Sequence, residues 1–112
     1  MADAQPHIQS RIDGFSVPEA SRREFEAAMR RNLAFLETLP GFLGHVVFER
    51  TNDASAFDIV TIAVWESPDA IEAAGEKVRA YYQSIGFDMP AMLARWGVKA
   101  ALGYYRAPSL LQ

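Results

Sequence analysis

The sequence predicts an α+β domain in which a four-stranded antiparallel sheet carries its helices on one face. Three observations lead there. Phe57-Asp58-Ile59-Val60-Thr61-Ile62-Ala63-Val64-Trp65 is a short run rich in β-branched and aromatic residues, which reads as a strand rather than a buried helix. Long segments with apolar residues at helical spacing stand before and after it. Shorter strand-like segments lie near both chain ends and just ahead of the central run.

Taken in order, His7 to Phe15 alternate, with Ile8, Ser10 and Ile12 on one side and Gln9, Arg11 and Asp13 on the other. They predict a first strand whose Ile8, Ser10 and Ile12 side faces the core. Ser16-Val17-Pro18-Glu19 then fits a capping box, in which the Ser hydroxyl and the Glu carboxylate satisfy each other's backbone N–H. The helix this would start extends to Leu39. Phe25, Met29, Leu33 and Leu36 form its apolar stripe, while Arg22, Arg23, Glu26, Arg30 and Arg31 occupy the wet arc. Pro40-Gly41 ends it.

A second strand is expected over residues 44–50, and Thr51-Asn52-Asp53-Ala54-Ser55 is a turn that makes a hairpin with the central run. Within that run Phe57, Ile59, Thr61, Ala63 and Trp65 point to one side, and Val60, Ile62 and Val64 to the other. Ser67 can cap the next helix, Pro68 suits its first position, and Asp69 faces its positive end. The stripe of this helix is Ile71, Ala74, Val78, one of Tyr81 and Tyr82, and Ile85, and Gly86 stops it. Asp88-Met89-Pro90 starts a short third helix carrying Met92, Leu93 and Trp96. Val98 to Tyr105 reads as the last strand, ended by Ala107-Pro108, with Leu110 and Leu111 in a short tail.

The order is β-α-β-β-α-(α)-β, the split arrangement called ferredoxin-like. Right-handed crossovers place both long helices on one sheet face. The other face keeps Val60, Ile62 and Val64, joined in expectation by Val47 and Ala101. An apolar patch of that kind is unusual on a monomer, and a homodimer packed sheet to sheet would cover it.

Composition narrows the function classes. One domain is expected across residues 1–112, with its core over about residues 8–105. The net charge of −3 leaves no electrostatic footprint for nucleic acid or an anionic membrane, so neither is an expected partner. No apolar run approaches the roughly 20 residues needed to cross a bilayer. Met1-Ala2-Asp3-Ala4-Gln5-Pro6 has neither part of a signal peptide, so a cytoplasmic protein is expected. Without cysteine there is no disulfide, thiolate nucleophile or Cys-based metal site. No Gly-rich phosphate loop, Ser-His-Asp set or metal motif is present.

Three stretches resemble the antibiotic biosynthesis monooxygenase family of dimeric α+β barrels: Leu39-Pro40-Gly41-Phe42, Thr61-Ile62-Ala63-Val64-Trp65-Glu66-Ser67, and Gly103-Tyr104-Tyr105. One branch of that family comprises cofactor-free oxygenases, which oxidise phenols, quinols or aromatic polyketides with O₂. The resemblance implies a substrate held between sheet and helices and supplying its own electrons, with no metal or flavin. It also implies an Asn on the first strand and a Trp at the end of the third. Trp65 matches the Trp, and Ser10 stands where the Asn would be. A second branch degrades haem and needs a His on the second helix. Here that position falls at about Gly75, and no His lies between Glu66 and the C-terminus.

The implied catalytic set is Trp65, Ser10 and Tyr82, with Tyr81, Met92, Trp96 and Tyr104 against the substrate, a small electron-rich aromatic. Each has a plainer reading beside it. Trp65 also fits as a core aromatic, and Ser10 as a hydroxyl satisfied by a backbone carbonyl. Only one of Tyr81 and Tyr82 can face fully inward, and Tyr104 and Tyr105 pose the same choice. Met92 and Trp96, with Met89, would cap one end of the helix–sheet space. His7 and His45 lack the carboxylates that would make them a metal site, and read as solvated or locally satisfied. The alternative function is a non-catalytic dimer that binds a hydrophobic small molecule, or the remnant of an enzyme.

Overall fold

The computed structural model describes residues 7–107. Strand β1 (Gln9–Ser16) leads through a 3-10 turn into helix α1 (Arg22–Leu36). The hairpin strands β2 (Phe42–Glu49) and β3 (Ile59–Trp65) follow, then helices α2 (Pro68–Ser84) and α3 (Met89–Trp96), and strand β4 (Lys99–Tyr105). The sheet is antiparallel in the order β2-β3-β1-β4, so β3 and β1 are central. This is the expected ferredoxin-like arrangement. Pro108, Leu110, Leu111 and the segment Met1 to Pro6 lie outside the described residues. Among the described residues no helix is long and apolar enough to cross a membrane.

Local chemistry sets the helix ends. The Ser67 hydroxyl accepts from the Ala70 N–H at 3.1 Å with Pro68 in the first turn, and Asp88 caps α3 in the same way through Ala91. The start of α1 differs from expectation. Ser16 remains in β1, the chain turns through the 3-10 segment Glu19–Ser21, and Ser21 precedes α1 without a side-chain cap. Ser16 cannot cap because its backbone is still paired with Lys99 of β4. The Ser21 hydroxyl instead donates to the Trp96 carbonyl at 2.8 Å, tying α1 to the end of α3. The helix also ends at Leu36 rather than Leu39, and tighter turns carry the chain to Pro40. Gly41 then takes a positive φ of 82°, and a Cβ there would meet the Ala70 methyl at 2.6 Å, so β2 can enter beneath α2 only at a glycine.

Cross-strand register assigns the sheet faces. In β3, Ile59, Thr61, Ala63 and Trp65 are buried under the helices, and Val60, Ile62 and Val64 take the back. Pairing of Asp13 with Thr61, Arg11 with Ala63 and Gln9 with Trp65 puts these three β1 residues on the helix side. Ser10, Ile12 and Gly14 pair with Val64, Ile62 and Val60, and so face the back. The expected phase of β1 is therefore corrected, because Phe15, 4% exposed, is the residue that locks into the core. Val47 pairs with Thr61 and lies on the helix side rather than the back, while Ala101 is on the back as expected. Phe57 precedes β3 and, against expectation, does not share its helix-side row: its ring fills the space beside Gly14 on the back, where a Cβ would come within 2.7 Å.

The helix side holds two apolar cores. Phe15, Val17, Phe25, Ile59, Trp96 and Val98 form one. Leu39, Ala63, Trp65 and Ala74 form the other.

Candidate functional site

Polar side chains occupy the helix side of the sheet where an apolar layer would be simplest. Arg11 and Asp13 sit on consecutive inward positions of β1, their side chains 31% and 17% exposed, with Arg11 Nε donating to Asp13 Oδ1 at 2.7 Å. Thr61, opposite Asp13 on β3, is buried. Tyr82 on α2 is near enough for the charges of Arg11 and Asp13 to bear on its hydroxyl, and its ring packs edge-on against Phe87 at 5.0 Å. From α1 come buried Asn32 and Arg31; the Arg31 guanidinium donates to Asn32 Oδ1 at 3.0 and 3.1 Å and lies 4.4 Å over the Phe87 ring.

Burial shapes the ionisation of this cluster. Desolvation raises the Asp13 carboxyl above its ordinary value, against the opposing pull of Arg11 and of a hydrogen bond from the Gly103 backbone. Tyr82 is also raised, again chiefly by burial, with Arg31 and Arg11 opposing. At neutral pH Tyr82 is thus a hydrogen-bond donor and a poor base, whereas a carboxylate pushed upward is a better base than its exposed counterpart.

The cluster opens toward β4. Leu102 and Tyr104 are on the helix side of that strand yet 57% and 58% exposed, because no helix covers this flank. Arg11 Nη1 donates to the Tyr104 hydroxyl at 3.3 Å, with the guanidinium 5.1 Å over the ring. Tyr104 also lines an open cleft of about 640 Å³ between α2 and the ends of β1 and β4, together with Gln9, Ile71, Glu72, Gly75 and Arg79. That volume suits a small organic ligand. A Cβ on Gly75 would have nothing nearer than Arg79 Nη1 at 3.8 Å, so no packing demand explains a glycine inside this helix.

The residues singled out from sequence separate into groups. Tyr82 and Tyr104 join the cluster. Tyr81 stacks flat on Phe35 at 4.1 Å, so Tyr82 is the one whose hydroxyl senses Arg11 and Asp13. Trp65 lies beside Gln9 at the end of β3 but is only 4% exposed, packed edge-on against Phe42 at 5.1 Å. It belongs to the core of Leu39, Ala63 and Ala74 and does not line the cleft. Ser10 is corrected: its partner is Val64, so its hydroxyl faces the back of the sheet, away from the helices. Met92 and Trp96 belong to the core around Phe25, apart from the cleft, and the buried Trp96 indole N–H has no hydrogen-bond partner among the described residues. Arg11, Asp13, Arg31, Asn32 and Thr61 were missed. Taking the β1 phase from Phe15 and Val17, rather than from Ile8 and Ile12, would have turned the first two inward.

The residues do not fit a histidine-ligated haem. Gly75 offers no ligand atom at the cleft, and His45 is on β2 with Nδ1 3.6 Å from Glu37. Among the described residues no group of three or more His, Asp or Glu stands ready to hold a metal ion.

Comparison with known proteins bears on the family and the fold. The family model for antibiotic biosynthesis monooxygenase matches residues 12–77. No curated protein matches the chain significantly. Among solved structures, SnoaB, a cofactor-independent oxygenase from Streptomyces nogalater, is similar at 27% identity and a TM-score of 0.63, over 92% of this chain and 95% of that one. A protein of Shewanella loihica PV-4, provisionally described as a monooxygenase, superposes at 0.71 with 17% identity, covering 93% and 97%. A dimeric ferredoxin-like protein from an uncultured marine organism superposes at 0.64 with 13% identity, covering 90% and 94%.

Proposed function

The chain belongs to the antibiotic biosynthesis monooxygenase family, and on that premise we propose that it oxidises a small electron-rich phenol or quinol with O₂, without a cofactor. The observation that carries this reading is the part-buried Arg11–Asp13 pair, facing Tyr82 and joined through Tyr104 to an open cleft. A site of this kind can hold a phenol by its hydroxyl, with Tyr104 beside the ring and Tyr82 donating a hydrogen bond. Once ionised, the ring is electron-rich enough to react with O₂ directly. The conversion balances without an external reductant. One oxygen atom replaces a ring hydrogen and becomes a second carbonyl, and the two hydrogens lost leave with the other oxygen atom as water.

The resemblance to SnoaB, itself a cofactor-independent oxygenase, supports this reading. The active form is a homodimer joined back to back. Ile12, Val46, Phe48, Val60, Ile62, Val64 and Tyr105 share the sheet face that the helices leave bare, and Phe48 and Tyr105 are each 55% exposed. A second reading, a non-catalytic binder of a hydrophobic small molecule, is favoured by the closure of Trp65, which leaves Tyr104 as the aromatic wall of the cleft.

Oxygen uptake by chelator-treated protein with a panel of anthrones and quinols decides between them. Uptake above the uncatalysed rate supports oxidation. Saturable binding with no uptake by any of them selects the binder.

A further inference from the structure

Arg11 and Asp13 are an unusual choice for a central strand. Asp is disfavoured in strands, and an ion pair on the covered face is often no more stabilising than apolar residues of similar volume. The pair is also not sealed: its side chains are 31% and 17% exposed, its β4 flank is bare at Leu102 and Tyr104, and Tyr104, to which Arg11 donates, lines the neighbouring cleft. We infer that the two side chains form a charge-exchange pair, in which Asp13 accepts the proton of a substrate hydroxyl and Arg11, released from Asp13, pairs with the oxyanion. This inference rests on the proposed phenol chemistry and adds the residue that ionises the substrate.

The step is a heterolytic proton transfer. The substrate O–H bond breaks, its electron pair stays on oxygen, and the proton bonds to a carboxylate oxygen of Asp13. Before transfer the site holds one cation and one anion, and after transfer it again holds one of each, because the neutral carboxyl no longer needs Arg11. No net charge appears in a poorly solvated site, which is the condition under which such a transfer is least opposed. In water a phenol lies about six pK units above a carboxylic acid. Burial of Asp13 and the cation waiting at Arg11 both narrow that gap. The other titratable groups bearing on the pair are Tyr82 from α2 and Tyr104 from β4, and Arg31 from α1 and Tyr81 from α2 act in turn on Tyr82. Tyr82, raised by burial, remains protonated and donates to the same oxyanion.

Para-nitrophenol tests the exchange, because its absorbance reports ionisation and calorimetry in buffers of different ionisation enthalpy counts protons released. Below its free pKa, the wild type is expected to bind the dye in its ionised form with no proton released to buffer. Asp13→Asn should still bind it ionised, through Arg11, but release about one proton per dye. Arg11→Gln should bind it in the neutral form, and Asp13→Glu should restore proton-neutral binding. In oxygen uptake Asp13→Asn should lower kcat by about 10²- to 10⁴-fold, the usual share of a general base. Release of the proton to buffer by the wild type overturns the inference, as does failure of the wild type to take up ionised dye. Turnover of Asp13→Asn at the wild-type rate also overturns it, while leaving phenol oxidation standing. If no quinol or anthrone is oxidised, the functional reading falls, and the proton count still judges the pair.

Discussion

The two faces of this sheet carry their polar and apolar residues against expectation. On the covered face, between two apolar cores, lies a polar row of Arg11, Asp13 and Thr61. On the bare face the same strands show Ile12, Val60, Ile62 and Val64, joined by Phe48 of β2. A sheet built only for stability would reverse this, with its polar side wet and its apolar side buried. The difference separates two tasks. On the proposed reading the covered face holds ionisable groups in a part-buried place, and the bare face gains stability by meeting a second surface. All four strands serve both faces at once, alternating residue by residue.

The largest expected effect lies on the bare face. Ile62→Asp sets a carboxylate in the middle of the proposed dimer contact, where an unpaired charge costs about 3 kcal/mol or more, roughly a hundredfold in self-association. Light scattering should find the dimer mass for the wild type and half of it for the variant, with circular dichroism unchanged. A monomeric wild type would show that the bare face has no partner of its own kind.

On the covered face, replacing the whole ion pair differs from breaking it. The double variant Arg11→Met/Asp13→Leu removes both charges and should be neutral or more stable by about 1–2 kcal/mol, while abolishing turnover. Asp13→Leu alone leaves Arg11 unpaired and should destabilise relative to the double variant. Denaturant titrations of the three proteins measure both differences. If the double variant were the least stable, the pair would be a structural clamp.

A smaller effect is the pH dependence of stability. Asp13 is raised in the folded state, so the folded chain holds its proton over a range where the unfolded chain has already lost it. Stability contributed through Asp13 therefore declines as pH rises from the ordinary carboxylate range through the raised value, and is flat above it. Asp13→Asn should remove that decline, as read from thermal midpoints in overlapping buffers. The smallest change is Gly75→Ala, which fills open space on α2 and should add about 0.5–1 kcal/mol. Gly75→Trp, by contrast, should obstruct ligand entry without touching either core.

Much of the fold was legible because its signals are local. Ser67-Pro68 and Asp88 start their helices through contacts three residues away, and the β3 run is a strand in any plausible neighbourhood. The facing of β1 was not legible in that way. A strand with apolar residues on both sides gives an alternation but not its direction, and Ile8 and Ile12 suggested the wrong one. Long-range register decides it: Phe15 opposite Ile59 turns Arg11 and Asp13 inward and Ser10 outward. The same limit hid Arg31, whose helix position looks wet while its side chain crosses the Phe87 ring to reach Asn32. Ser16 failed as a cap for a related reason, since pairing with Lys99 holds its backbone in the sheet. The candidate site was therefore only partly readable. Tyr82 and Tyr104 were within reach, but the ionisable pair between them depends on which strand lies alongside which.

The central claim is that the polar row on the covered face is a reaction site, and comparing oxygen consumption by the wild type and the folded Arg11→Met/Asp13→Leu protein tests it most directly. With an anthrone or quinol the wild type should consume oxygen and yield quinone, one molecule for each O₂, and the double variant should match the protein-free rate. Equal consumption by the two would mean that the chemistry lies elsewhere, and none by either would mean that the row was built for another purpose.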